Sequence, residues 1–146
     1  MNIANEKLFV EIEGRLHVWS MQTIWDAAAS CEPFEMSVQE ALRKLDDNTW
    51  RTKDYEVTTW DVIGHTKRTI NADLAYPIIL SRDGYLVEGS HRIVKAYIHG
   101  LPTIQAVRLP KDPPPDEVLD KTPESYGNPR APDLRSNPNK PSETTR

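Results

Sequence analysis

The chain holds 146 residues, with 18 Lys and Arg against 22 Asp and Glu for a net charge of −4, and 38% of it is hydrophobic. That balance disfavours a protein that grips duplex DNA chiefly by neutralising phosphates, and a single cysteine, Cys31, excludes an internal disulfide or a thiolate zinc cluster. No apolar run approaches the roughly 20 residues of a membrane span and the N-terminus has no signal-peptide pattern, so the expectation is a cytoplasmic protein with no membrane partner.

In chain order, Leu8 to Ile12 and Arg15 to Trp19 alternate around Glu13-Gly14 and predict a strand pair. Met21, Ile24, Trp25 and Ala28 fall at helical spacing, so a short helix is expected from Met21 to Cys31. Ser37-Val38-Gln39-Glu40 reads as a capping box, opening a helix with Val38, Ala41, Leu42 and Leu45 on one face. Residues 46–57 read as a polar connection carrying Trp50 and Tyr55.

Thr58-Thr59-Trp60-Asp61 is a second capping box. The helix that follows, to about Ala72, carries Trp60, Ile63, Lys67 and Ile70 along one side and His65 and Arg68 on the other, which spacing alone assigns to a solvated face. Pro77 to Leu80 predicts a strand, Arg82-Asp83-Gly84 a tight turn, and Tyr85 to Glu88 the returning strand. Gly89-Ser90 ends it, with Ser90 placed to cap a helix that runs to His99 and stops at Gly100 and Pro102. Thr103 to Leu109 is a last strand. Beyond it, residues 110–146 hold nine of the 12 prolines and, as apolar side chains larger than alanine, only Val118, Leu119, Tyr126 and Leu134. Such a segment buries too little to offset its ordering entropy. The expected organisation is a domain over 1–109 and a disordered proline-rich tail over 110–146. The four tryptophans, Trp19, Trp25, Trp50 and Trp60, read as core.

Chemistry concentrates at Glu88-Gly89-Ser90-His91-Arg92. A strand gives way there to a helix N-terminus, where open N–H groups and the helix dipole favour an anion. Gly89 admits close approach, Ser90 adds a hydroxyl, and Arg92 has the fork that matches two phosphate oxygens. A carboxylate at Glu88 beside a phosphate is unfavourable unless it holds a divalent cation, accepts a proton or points elsewhere; it is either a metal ligand or general base, or a solvated strand end. Lys95, one turn further along, either extends the basic site or is an exposed lysine. His65, Lys67 and Arg68 supply the other local excess of positive charge, and they either fold back over the phosphate pocket or form a solvated helix face, the reading that spacing alone prefers.

The run Ala72 to Leu80, the hairpin Asp83 to Glu88, and Gly89-Ser90-His91-Arg92 with Lys95-Ala96 and Gly100 resemble the ParB/sulfiredoxin superfamily over about Thr58 to Leu109. The resemblance implies an α+β fold, a small mixed sheet packed with helices, in which the Gly-x-His-Arg turn binds the phosphates of ATP or another nucleotide, with Mg²⁺. It implies that Ser90, His91 and Arg92 contact the phosphates and that Glu88 stands at an acidic motif position; the residues' own chemistry adds Gly89, Lys95 and Arg68 to the expected nucleotide contacts, makes Glu88 the expected metal ligand, and gives Glu88 and His91 the catalytic roles. Phosphoryl transfer or nucleotide hydrolysis is the leading expectation; a nuclease acting on DNA or RNA and a non-catalytic nucleotide- or protein-binding module stand beside it. Sulfiredoxin chemistry is excluded, because Ser90 stands where that enzyme has its reactive cysteine and a serine cannot form a thiosulfinate.

Overall fold

A computed structural model describes residues 7–45 and 56–120. The first strand pair forms as β1 (Lys7–Ile12) and β2 (Arg15–Ser20), antiparallel, with Glu13 and Gly14 in the left-handed region at the turn. Helix α1 (Met21–Ala28) begins at once, capped by the Ser20 hydroxyl, which accepts from the Thr23 amide. A strand not foreseen in the sequence, β3 (Phe34–Ser37), leads into α2 (Val38–Leu42). Ser37 Oγ accepts from the Glu40 amide, as the capping motif requires, and two single turns carry the chain on to Leu45.

Helix α3 (Thr59–Asn71) opens with the complete capping box between Thr58 and Asp61. The hairpin β4 (Ile78–Leu80) and β5 (Leu86–Glu88) follows, then α4 (Ser90–Ile98) and β6 (Thr103–Arg108). The central sheet has the order β3-β6-β4-β5, with β4 and β6 parallel and the outer pairings antiparallel, so the sheet is mixed and the fold α+β as expected.

Strand alternation divides the core between the two faces of this sheet. Met36, Ile78, Leu80, Ile104 and Ala106 face one way and pack with Val38 and Ala41 of α2 and Ile93 and Ala96 of α4. Ile79, Val107 and Leu109 face the other way, against Trp19, Met21 and Ile24. Trp19 is buried and Trp25 and Trp60 half-buried, which agrees with a packing role; Trp50 and Tyr55 lie outside the described residues.

The domain does not stop at Leu109. A seventh strand, β7 (Glu117–Asp120), pairs antiparallel with β2 and completes a second sheet of order β1-β2-β7. The connecting prolines are held in place: the Trp19 indole N–H donates to the Pro113 carbonyl at 2.8 Å. Asp116 accepts from the Ser20 amide at 2.7 Å and from the Thr23 hydroxyl, and these bonds hold its carboxyl below the usual carboxylate range. The expected boundary at 109 therefore moves to residue 120. Composition averaged over 37 residues hid a strand of four, whose Val118 and Leu119 were two of the four large apolar side chains noted there. The expectation for 121–146 lies outside the described residues.

Candidate functional site

The site is built where α3 and α4 meet, and α3 presents to that contact the opposite face from the one its apolar residues suggest. Asp61, Gly64, His65 and Thr69 are buried and Arg68 half-buried, whereas Val62 and Ile70 are 55% and 66% exposed. The solvated face expected for His65 and Arg68 is thus overturned for both, while Lys67 stays exposed. The reason lies in α4, which supplies polar partners. His65 Nδ1 and His91 Nε2 are 2.9 Å apart and their rings stack at a centroid distance of 5.2 Å. The Lys95 ammonium donates to the carbonyls of Ile70 at 2.9 Å and Ala72 at 2.6 Å, closing the C-terminal end of α3 where backbone acceptors are left over. Lys95 is therefore a helix cap, neither a spare lysine nor an extension of the basic site.

One hydrogen bond between two imidazoles requires one ring to donate and the other to accept, so a neutral pair satisfies it and a doubly protonated pair breaks it. Burial, then the Arg68 charge, lowers the His65 pKa to about 4, against a smaller upward pull from Asp61. Burial lowers that of His91 to about 3, with His65, Arg68 and Arg92 adding to the effect. Both rings are neutral at physiological pH. At that pH His91 offers hydrogen bonds but no charge, and it is a weak base.

Glu88 and Arg92 resolve the question raised by a carboxylate beside an anion site. The Arg92 guanidinium is ion-paired with Glu88 and also donates to the carbonyls of Tyr76 at 3.1 Å and Pro77 at 2.8 Å. Its side chain is 11% exposed. The fork foreseen for phosphate thus binds β5 and the segment before β4 to α4, and the Glu88 carboxylate points to arginine. Glu88 commits Oε2 to the guanidinium, and the single oxygen left over is a poor holder for Mg²⁺ without further carboxylates. Among the described residues, no group of three or more His, Cys, Asp or Glu is placed to hold a metal ion.

Gly89, rather than Ser90, is the N-cap of α4, and the helix has no side-chain cap. Its φ of +120° is a conformation that only glycine adopts readily. A Cβ there would lie 2.6 Å from Ile78 Cγ2 and 3.1 Å from the Ile78 Cα. On that side glycine serves packing against β4, not the approach of a ligand. Ser90 begins the helix and His91 lies in its first turn, above His65.

Sequence reasoning brought together Glu88, Gly89, Ser90, His91 and Arg92, and it added Arg68 while preferring a solvated face for the rest of the partner helix. A signal was present: Asp61, Gly64, His65, Arg68 and Thr69 recur at intervals of three and four, and a mid-helix glycine is unfavourable by about 1 kcal/mol unless close packing needs it. No protein-family model, curated protein or solved structure matches the chain.

Proposed function

We propose that the protein is a nucleotide-binding module that receives a phosphate group at the N-terminal turn of α4, in the manner that its resemblance to the ParB/sulfiredoxin superfamily implies. The observation that carries this reading is the construction of that turn. Helices α1, α2 and α3 each begin with a serine or threonine side chain bonded to the first turn, whereas α4 begins with a bare glycine, and a neutral histidine in its first turn rests on the second histidine. Backbone N–H groups and the dipole supply attraction for an anion, the Arg68 charge acts on both rings, and His91 adds a directional hydrogen bond.

Binding is favoured over turnover by the same chemistry. Phosphoryl transfer asks for a metal-holding carboxylate or an effective base, and Glu88 is engaged by Arg92 while His91 is a base of pKa about 3. The test is calorimetry with ATP, CTP, ADP and inorganic phosphate on the parent protein and His91→Ala. Nucleotide binding that weakens at least tenfold in the variant supports the reading; no binding to any of the four, or binding indifferent to the variant, overturns it.

A further inference from the structure

The unspent positive charge of the described fold lies at the other end of the β4–β5 hairpin. Gly84 sits in the turn with φ +88° and is buried, and its missing side chain leaves room for two cations to come close to the backbone. A Cβ built there is 3.1 Å from Arg108 Nη2 and 3.9 Å from Lys44 Nζ. Two cationic nitrogens thus border the same glycine. Lys44 is fixed by donating to the Gly84 carbonyl at 2.7 Å, which leaves two of its three N–H groups for another acceptor. Among the described residues, neither Arg43 nor Arg108 forms an ion pair.

This glycine borders a cavity of about 480 Å³, lined in part by Arg43, Lys44, Asp83, Gly84 and Tyr85. That volume falls within the range of about 300–1,000 Å³ usual for small-molecule sites. Arg43, Lys44 and Arg108 stand against the single carboxylate of Asp83. Tyr85, 75% exposed, leaves its ring free to cover a planar group. Cations gathered without acids repel one another, and an anion with several oxygens relieves that repulsion while accepting from guanidinium and ammonium together.

We propose that the space beside Gly84 is a second anion site, independent of the α4 turn, which takes the phosphate or pyrophosphate group of a small molecule and lays its planar ring on Tyr85. Lys44 and Arg43, which line the cavity, hold the anion, and Arg108, seated beside Gly84, adds a third positive charge at its edge.

The experiment is a titration of the full chain with inorganic pyrophosphate, followed by amide shifts in ¹H–¹⁵N spectra, so that the two sites report separately. Saturable shifts at Gly84 and Tyr85 are expected, with affinity at least tenfold weaker in Arg43→Gln/Arg108→Gln. Asp83→Asn, which removes the opposing carboxylate from the rim, is expected to tighten binding at least twofold and remains a test if the double variant fails to fold. Tyr85→Ala should weaken ADP several-fold and leave pyrophosphate unchanged. Shifts confined to Ser90 and His91, no saturation at Gly84 and Tyr85, affinity there unaltered in both the double variant and Asp83→Asn, or an ADP affinity indifferent to Tyr85→Ala would overturn the proposal.

Discussion

His65 and His91, 26 residues apart on separate helices, share one hydrogen bond of 2.9 Å through stacked rings, which joins α3 to α4 by a contact that exists only while at least one ring is neutral. Its first consequence is a pH dependence with a definite sign. Folded pKa values of about 4 and 3, against the ordinary 6.5, mean that the unfolded chain takes up protons first as pH falls. The contribution of the pair is therefore complete above pH 6.5 and is lost progressively as pH drops through 4 towards 3. Thermal melts between pH 7 and pH 3.5 should show a stability loss that is smaller in the His65→Asn/His91→Asn variant. Histidine ¹⁵N shifts should report both rings neutral at pH 5.5; a ring half-protonated near pH 6.5 contradicts the assignment.

The second concerns Gly89. Alanine there meets both a φ of +120° and the Ile78 side chain at 2.6 Å. Backbone strain and overpacking are each about 1–3 kcal/mol, so Gly89→Ala should destabilise by about 2–6 kcal/mol in urea unfolding. Ile78→Ala in the same background removes the closest overlap, at Cγ2, and leaves the 2.9 Å approach to the Ile78 Cβ and the strain, so the two effects should be less than additive.

The third concerns Glu88 and Arg92. Deleting the guanidinium leaves a mostly buried carboxylate and two carbonyls without their donor. Arg92→Ala should destabilise by about 3 kcal/mol, as broken buried pairs do. Glu88→Gln added to Arg92→Ala should recover part of that loss, because a neutral amide needs no counter-charge. Strictly additive denaturation midpoints would show that the pair is not coupled.

The fourth tests where the domain ends. A chain cut after Leu109 loses β7, the Pro113 acceptor of Trp19 and the Asp116 cap of α1. It should melt well below the parent and show red-shifted tryptophan emission as Trp19 meets water. An unchanged melt would restore the boundary that composition suggested.

Elements that carry their own punctuation could be read directly. Gly14, the serine and threonine caps, the Asp83-Gly84 turn and the stop at Gly100 each act within a few residues, and the elements they bound follow the expected order. Strands β3 and β7 could not be read that way, because each is four residues long and is defined by its partner: β6 for one, β2 for the other. The inward face of α3 failed for a related reason. Ile63 and Ile70 mark one side of the helix by hydropathy, but His91 and Lys95 of α4 determine which side is covered. Glu88 at the end of β5 and Arg92 in α4 were read as a metal ligand, base or solvated strand end and as a phosphate fork, although a separation of four residues across that junction already allowed them to pair.

The pairing of β2 with β7 also sets an order in time. Trp19 and its acceptor Pro113 are 94 positions apart, and contacts of such long range close late, since the intervening loop must first be ordered. As the chain leaves the ribosome, β2 waits with one edge open until Glu117–Asp120 have been made. For that interval the open edge of β2 is prone to join a neighbouring nascent chain, and β7 replaces it with a short edge strand that carries Glu117 and Asp120 at its ends.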